Sequence, residues 1–175
     1  ASAESNAHVG DRTNDATRIN AKQLRCKVVG EGGNLGLTQL ARAEYSLNGG
    51  MVYTDFIDNS GGVSCSDKEV NIKILLNSIV ASGDLTPKQR NELLVEMTDE
   101  VSKLVLRDNF LQTRAISLTA SQPLQVLDLQ SRYISELERT GKIDRSLEYL
   151  PDDKAIMDRK LMGKGLTRPN IAVLM

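Results

Sequence analysis

The chain has 175 residues, of which 40% are hydrophobic and 26% charged, with a formal net charge of −1 at pH 7. That balance gives no electrostatic reason to expect nucleic acid or an anionic membrane as partner, and 3% aromatic content leaves few platforms for stacking bases. No apolar run approaches the roughly 20 residues needed to cross a bilayer, and the length suits one ordinary domain or two small lobes.

Residues 1–20 are polar without a clear apolar period and read as a loose leader, in which Ser5-Asn6-Ala7 resembles an added remnant. The only histidine, His8, lies there and is not a catalytic candidate. Next, Cys26-Lys-Val-Val29 reads as a short buried strand opening onto Gly30, Gly32, Gly33 and Gly36. Leu37–Leu47 carries apolar residues close to helical spacing and stops at Asn48-Gly49-Gly50; Met51-Val-Tyr-Thr-Asp55-Phe-Ile57 then reads as a second strand. Strand, helix, strand with tight connections is a βαβ unit and implies a parallel pair.

After Asn59-Ser60-Gly61-Gly62 the pattern turns helical and stays so. Val63–Ala81 places Val70, Ile74, Leu75, Ile79 and Val80 at apolar positions and closes at Gly83. Thr86-Pro87-Lys88-Gln89 is a capping box with Pro at the first helical position, and it opens a helix of about thirty residues with Leu93, Leu94, Met97, Val101, Leu104 and Val105 on one face. Further helices span Pro123–Thr140, with Leu127, Ile134 and Leu137 inward, and Asp152–Met162. The expected architecture is α/β but predominantly helical: a leader (1–20), the end of a Rossmann-like nucleotide-binding domain (21–83) and a helical hairpin or bundle (84–175). Two strands do not make a stable sheet alone. Together with the missing initiator Met and an apolar run, Ile171–Met175, after the helix start at Thr167-Arg-Pro169, this suggests a fragment.

Cys26 and Cys65 lack neighbours at metal-ligand spacing and read as small buried hydrophobes of a cytoplasmic protein; no metal site is expected. Met97, Met157 and Met162 read as packing residues. Lys27, Lys68 and Lys73 read as solvated charges, and Glu96, Asp99 and Glu100 as i,i+4 partners of Lys103 and Arg107.

Two glycine-rich loops carry the functional signal. Gly30-Glu-Gly32-Gly33-Asn34-Leu-Gly36 follows a strand and precedes a helix, and on spacing alone it reads either as a pyrophosphate cradle with Asp55 on a ribose or as a bare turn. Asn59-Ser60-Gly61-Gly62-Val63-Ser64-Cys65-Ser66 follows the second strand, so both loops fall at the edge where open α/β sheets bind ligands.

Read together, Glu31-Gly32-Gly33-Asn34, Asp55, Asn59-Ser60-Gly61-Gly62-Val63 and Ser66 resemble glutamate dehydrogenases, whose corresponding strings are E-G-A-N and N-A-G-G-V followed by a Ser. Gly33 and Ser60 replace the usual Ala. The wider strings Val9–Asp15, Lys27–Gln39, Cys65–Asn77 and Gly165–Pro169 are similar to the large bacterial NAD-specific members. The resemblance implies that the first loop faces the nicotinamide end of NAD rather than the pyrophosphate. Asn34 and Asn59 would contact the nicotinamide ribose and carboxamide, and Gly32 and Gly33 would permit close approach. Val63 would line the glutamate pocket, Ser66 would bond the side-chain carboxylate, and Asp55 would be structural. The implied reaction is oxidative deamination of L-glutamate to 2-oxoglutarate and ammonia by a homo-oligomer. The family's catalytic Lys and Asp have no match here, so no catalytic residue is assigned and the fragment alone is expected to be inactive. A leucine or phenylalanine dehydrogenase fits less well, because Ser66 facing an apolar side chain would be unpaired. The rival reading is a helical docking module, residues 84–175, with the glycine loops as mere turns.

Overall fold

Val28–Val29 (β1) and Met51–Val52 (β2) form a two-stranded parallel sheet in the computed structural model, which describes residues 1–175; Val28 lies opposite Met51 and Val29 opposite Val52. Ahead of them come a single helical turn, Asn6–Val9 (α1), and two 3-10 turns, Arg12–Thr17 and Ala21–Gln23. His8 accepts the Ser5 N–H through Nδ1 and so completes the cap of α1. Polar contacts tie the leader to the rest of the chain: the Ser2 N–H donates to Glu44 and the Thr38 hydroxyl to Glu4, each at 2.6 Å. Such ties leave no trace in an apolar period.

Between the strands runs Gln39–Leu47 (α2), started by Thr38, whose Oγ1 accepts the Ala41 N–H at 3.2 Å. The return to β2 needs its glycines: Gly49 has φ +92°, and a Cβ on Gly50 would lie 2.3 Å from the Tyr45 ring. Tyr45 is buried with Ala21, Ala41 and Val52, and its hydroxyl donates to the Cys26 carbonyl at 2.6 Å.

The expected second strand is shorter than its composition suggests. It ends at Val52, and Asp55–Asp58 (α3) is already helical, with Thr54 as its N-cap residue. The reason is polar: the Asp55 and Asp58 carboxylates turn back to accept main-chain N–H groups of the first glycine loop, which a continuing strand would not allow. After Asn59 the chain enters Ser60–Ser82 (α4), so the second expected loop is largely the first two turns of a helix.

Pro87–Glu96 (α5) and Thr98–Ala120 (α6) replace the single thirty-residue helix; the break falls at Met97, where the Thr98 hydroxyl bonds back to the Leu94 carbonyl at 3.1 Å, a contact that bends helices. Pro123–Arg139 (α7), Asp153–Leu161 (α8) and Arg168–Val173 (α9) complete the bundle. The main core includes Ile57, Ile116, Leu127, Ile134, Ile156 and Ile171, which joins α3 to the later helices. Leu127 and Ile134 are buried as the spacing predicts.

Several expectations are corrected. On α4 it is Leu76 that is buried, while Val70, Ile74 and Leu75 are each more than half exposed. Apolar residues occur on most sides of this helix, so periodicity could not say which side α6 covers. Cys26 and Cys65 are exposed, not buried: Cys26 lies just ahead of β1, and Cys65 on α4 opens onto a cavity lined also by Leu94, Met97 and Val101. Met157 and Met162 are exposed as well. Glu96, Asp99, Glu100, Lys103 and Arg107 are all exposed and make no ion pairs, whereas Lys68 pairs with Asp108 at 3.3 Å. No helix is long and apolar enough to cross a membrane.

Candidate functional site

The first loop leaves the carboxyl end of β1, the second segment follows its parallel neighbour β2 by way of α3, and the two meet across one cleft of about 620 Å³. Asn34 and Leu35 line it from the first loop, Asp55 and Phe56 from α3, and Asn59, Ser60, Val63, Ser64 and Asp67 from the α3–α4 junction and α4, with Gln112 reaching in from α6. The structure therefore brings together Asn34, Asn59 and Val63. Ser66 is exposed and outside this lining. Counting 100° per residue, it lies on the same flank of α4 as Asn59, about 10 Å further along the axis, beside the cleft rather than in it.

Gly32 and Gly33 are exposed, neither has positive φ, and a Cβ on either would meet nothing within 4 Å. The chain's own folding does not require glycine at these two positions. The strained residues are instead Asn34 (φ +58°) and Leu35 (φ +54°), two consecutive left-handed residues. Asn tolerates that region; for Leu it costs about 1–2 kcal/mol and must be held by its surroundings.

What holds the loop is a buried ionic network beneath it. The Arg42 guanidinium donates through Nε and Nη2 to the two Glu31 oxygens at 2.6 and 2.9 Å, and Nη2 also lies 3.1 Å from Asp55 Oδ2. The Arg42 and Glu31 side chains are only 7% and 2% exposed, so this is a desolvated bidentate pair. The carboxylates then take up the loop's main chain. Glu31 accepts the Leu37 N–H at 2.8 Å, Asp55 the Leu35 N–H at 3.0 Å, and Asp58 the Glu31 N–H at 2.8 Å. Burial raises the Asp55 carboxyl, but the Leu35 N–H, the Arg42 charge and the Phe56 N–H outweigh it and hold it below the ordinary value. At Asp58 burial wins: with the charges of Glu31 and Asp55 adding to it, the carboxyl is raised in spite of the Glu31 N–H. Burial works against the charge on Arg42, yet Glu31 and Asp55 more than compensate and strengthen its hold on the proton.

The second loop is fixed from the helical region. Asn109 on α6 donates to both the Ile57 carbonyl and Ser60 Oγ at 2.9 Å, and the Tyr53 hydroxyl shares a 2.7 Å hydrogen bond with Ser117. Gly62 lies against the Asn59 side chain, so close that a Cβ there would sit 2.5 Å from Asn59 Oδ1. Sequence reasoning missed Ser64, Asp67 and Gln112. The first two are visible once α4 is seen to start at Ser60, because positions 60, 63, 64 and 67 share a helix face; Gln112 comes from a helix some fifty positions later and carries no local signal.

A parallel pair with a cleft at its carboxyl ends is an α/β element, and the cleft lies at the edge where open sheets of this class take their ligands. A family profile described as bacterial NAD-glutamate dehydrogenase, catalytic domain, matches residues 1–119, and the chain belongs to that family. It is 56% identical over 173 residues to the NAD-specific glutamate dehydrogenase of Halomonas elongata and 55% identical over 173 residues to that of Pseudomonas aeruginosa, with 99% of this chain covered in each case. The Mycobacterium tuberculosis enzyme of the same name is 48% identical over all 175 residues. The chain spans about 11% of the length of each of these relatives.

Proposed function

We propose that this chain is part of a cytoplasmic NAD-dependent glutamate dehydrogenase, in which it supplies the nicotinamide-side loops and one wall of the glutamate pocket. The observation that carries this reading is the shared cleft lined by Asn34, Asn59 and Val63 at the carboxyl edge of the parallel pair. Asn34 and Asn59 would hold the nicotinamide ribose and carboxamide; an amide suits the carboxamide because it offers both donor and acceptor. Gly32 and Gly33, which no contact within the chain requires, would let the cofactor lie against the backbone. Val63 would face the aliphatic part of L-glutamate or 2-oxoglutarate, and Ser66, beside the cleft, would donate to the side-chain carboxylate.

Bound NAD would supply the acceptor for a hydride from the substrate's α-carbon, and the task of these residues would be to orient it. The remainder of the parent chain supplies the groups that move protons, and a homo-oligomer is the expected working form. The 175-residue chain by itself is therefore inactive; glutamate-dependent NADH formation by the purified chain would refute that. In the parent enzyme, Asn34→Ala should weaken NAD binding and Ser66→Ala should raise the KM for glutamate. Unchanged kinetics in both would remove the site and leave these elements a purely structural role.

A further inference from the structure

The buried network under the first loop contains an arginine that touches neither the cleft nor any expected ligand, and its geometry points beyond stability. A buried ion pair contributes little net stability over an apolar pair of the same size; what it supplies is direction. Here every carboxylate that Arg42 orients holds a main-chain N–H of the strained segment: Leu37 through Glu31 and Leu35 through Asp55. Asp58, one turn further along α3, holds the Glu31 N–H. Consecutive left-handed residues persist only where neighbours over-determine them, and these bonds bracket Asn34 on both sides. Asp55 and Asp58 belong to α3, which leads directly into Asn59. The network therefore ties the loop bearing Asn34 to the helix start bearing Asn59.

We propose that Arg42 is a positioning residue which, through Glu31 and Asp55, sets the separation of the Asn34 and Asn59 amides and so the seat of the nicotinamide ring. The proposal rests on the nicotinamide reading of the cleft. Lysine does not replace Arg42, because a single ammonium cannot present two parallel donors to Glu31 while reaching Asp55.

The test uses the full-length enzyme carrying Arg42→Lys or Glu31→Gln, with Asn34→Ala as reference. NADH binding is followed by nicotinamide fluorescence, and ADP binding by calorimetry, since ADP lacks the nicotinamide half. The expected result is an NADH affinity lower by about tenfold, the loss of one or two amide hydrogen bonds, with ADP affinity unchanged. A merely structural role would lower both affinities together, and that outcome overturns the proposal. If both affinities stay at the wild-type level while Asn34→Ala weakens NADH, the positioning role falls and the nicotinamide reading stands. If Asn34→Ala is also silent, both fall. Should neither variant give soluble enzyme, Asp55→Asn carries the same comparison: its amide oxygen still accepts from Leu35, while the charge toward Arg42 and the bond accepted from the Phe56 N–H are lost.

Discussion

Arg42→Met tests whether the ionic network holds the glycine loop. The substitution keeps much of the side-chain volume but removes three contacts to carboxylates at once, at 2.6, 2.9 and 3.1 Å, together with the bond to Gln39 at 3.2 Å. It leaves the Glu31 carboxylate, 2% exposed, with the Leu37 N–H as its remaining donor. Breaking a buried pair by deleting one partner costs about 3–5 kcal/mol. At about 1.4 kcal/mol per tenfold, that lowers the protection of the Leu35 and Leu37 amides against hydrogen exchange by roughly a thousandfold. Exchange over residues 30–38 of the full-length enzyme, followed by mass spectrometry, reads it directly. Adding Glu31→Gln should recover most of the protection, because the neutral amide still accepts from Leu37 and no uncompensated charge remains buried. A loss below about tenfold in Arg42→Met, or additive losses in the double variant, would show that the loop is held by something else.

Three further outcomes follow from the same geometry. The two aspartates of α3 should respond to pH with opposite signs. Asp55 is held below its ordinary value of 3.8, so its stabilisation is present above that value and is lost as pH falls through the folded-state pKa. Asp58 is raised, so its ionised form weakens the fold at neutral pH and the penalty disappears as pH falls toward 3.8. Asp55→Asn should therefore lower loop protection at pH 7 and Asp58→Asn should leave it equal or higher. The Asp58 difference from wild type should close as pH falls toward 3.8 and the Asp55 difference only below that value; the same sign in both variants would contradict the assignment. At the start of α4, Gly62→Ala should displace the Asn59 amide and weaken NADH binding. Gly61→Ala, whose Cβ would meet only Val105 at an ordinary 3.6 Å, should bind NADH normally and gain about 0.5–1 kcal/mol of helix stability, measured by chemical denaturation. Gly165→Ala should destabilise by about 1–3 kcal/mol, since its Cβ would sit 2.8 Å from the Pro123 carbonyl oxygen; normal thermal stability of that variant would show that α7 yields instead.

The βαβ order was legible because each of its parts has local chemistry: Thr38 caps α2, and Asn48-Gly49-Gly50 ends it where only glycine fits beside Tyr45. The positions of Asn34 and Asn59 on one cleft followed from parallel topology alone. What stayed hidden is the polar scaffolding. Glu31 and Arg42 are eleven residues apart and look like ordinary surface charges, and Asp55 looks like the end of a strand. Nothing short of the fold reveals that they close on one another. The exposed side of α4 was hidden for the opposite reason, because Val70, Ile74 and Leu75 look as apolar as the buried Leu76. Asn109 and Gln112, which bring α6 into the site, are two amides among many on a helix with no motif around them.

One long contact has a bearing on how the site is made. Gln39, at the start of α2, accepts from Arg42 Nη1 through its side-chain oxygen and donates from its nitrogen to the Pro169 carbonyl, 130 residues away. On a ribosome adding about 5–20 residues per second, the arginine that shapes the glycine loop waits roughly 6 to 25 seconds before this last brace is synthesised. In that interval the loop has its own carboxylates but no α9 behind it. The βαβ unit is thus made early but gains its contact with α9 late, when Pro169 arrives behind Gln39.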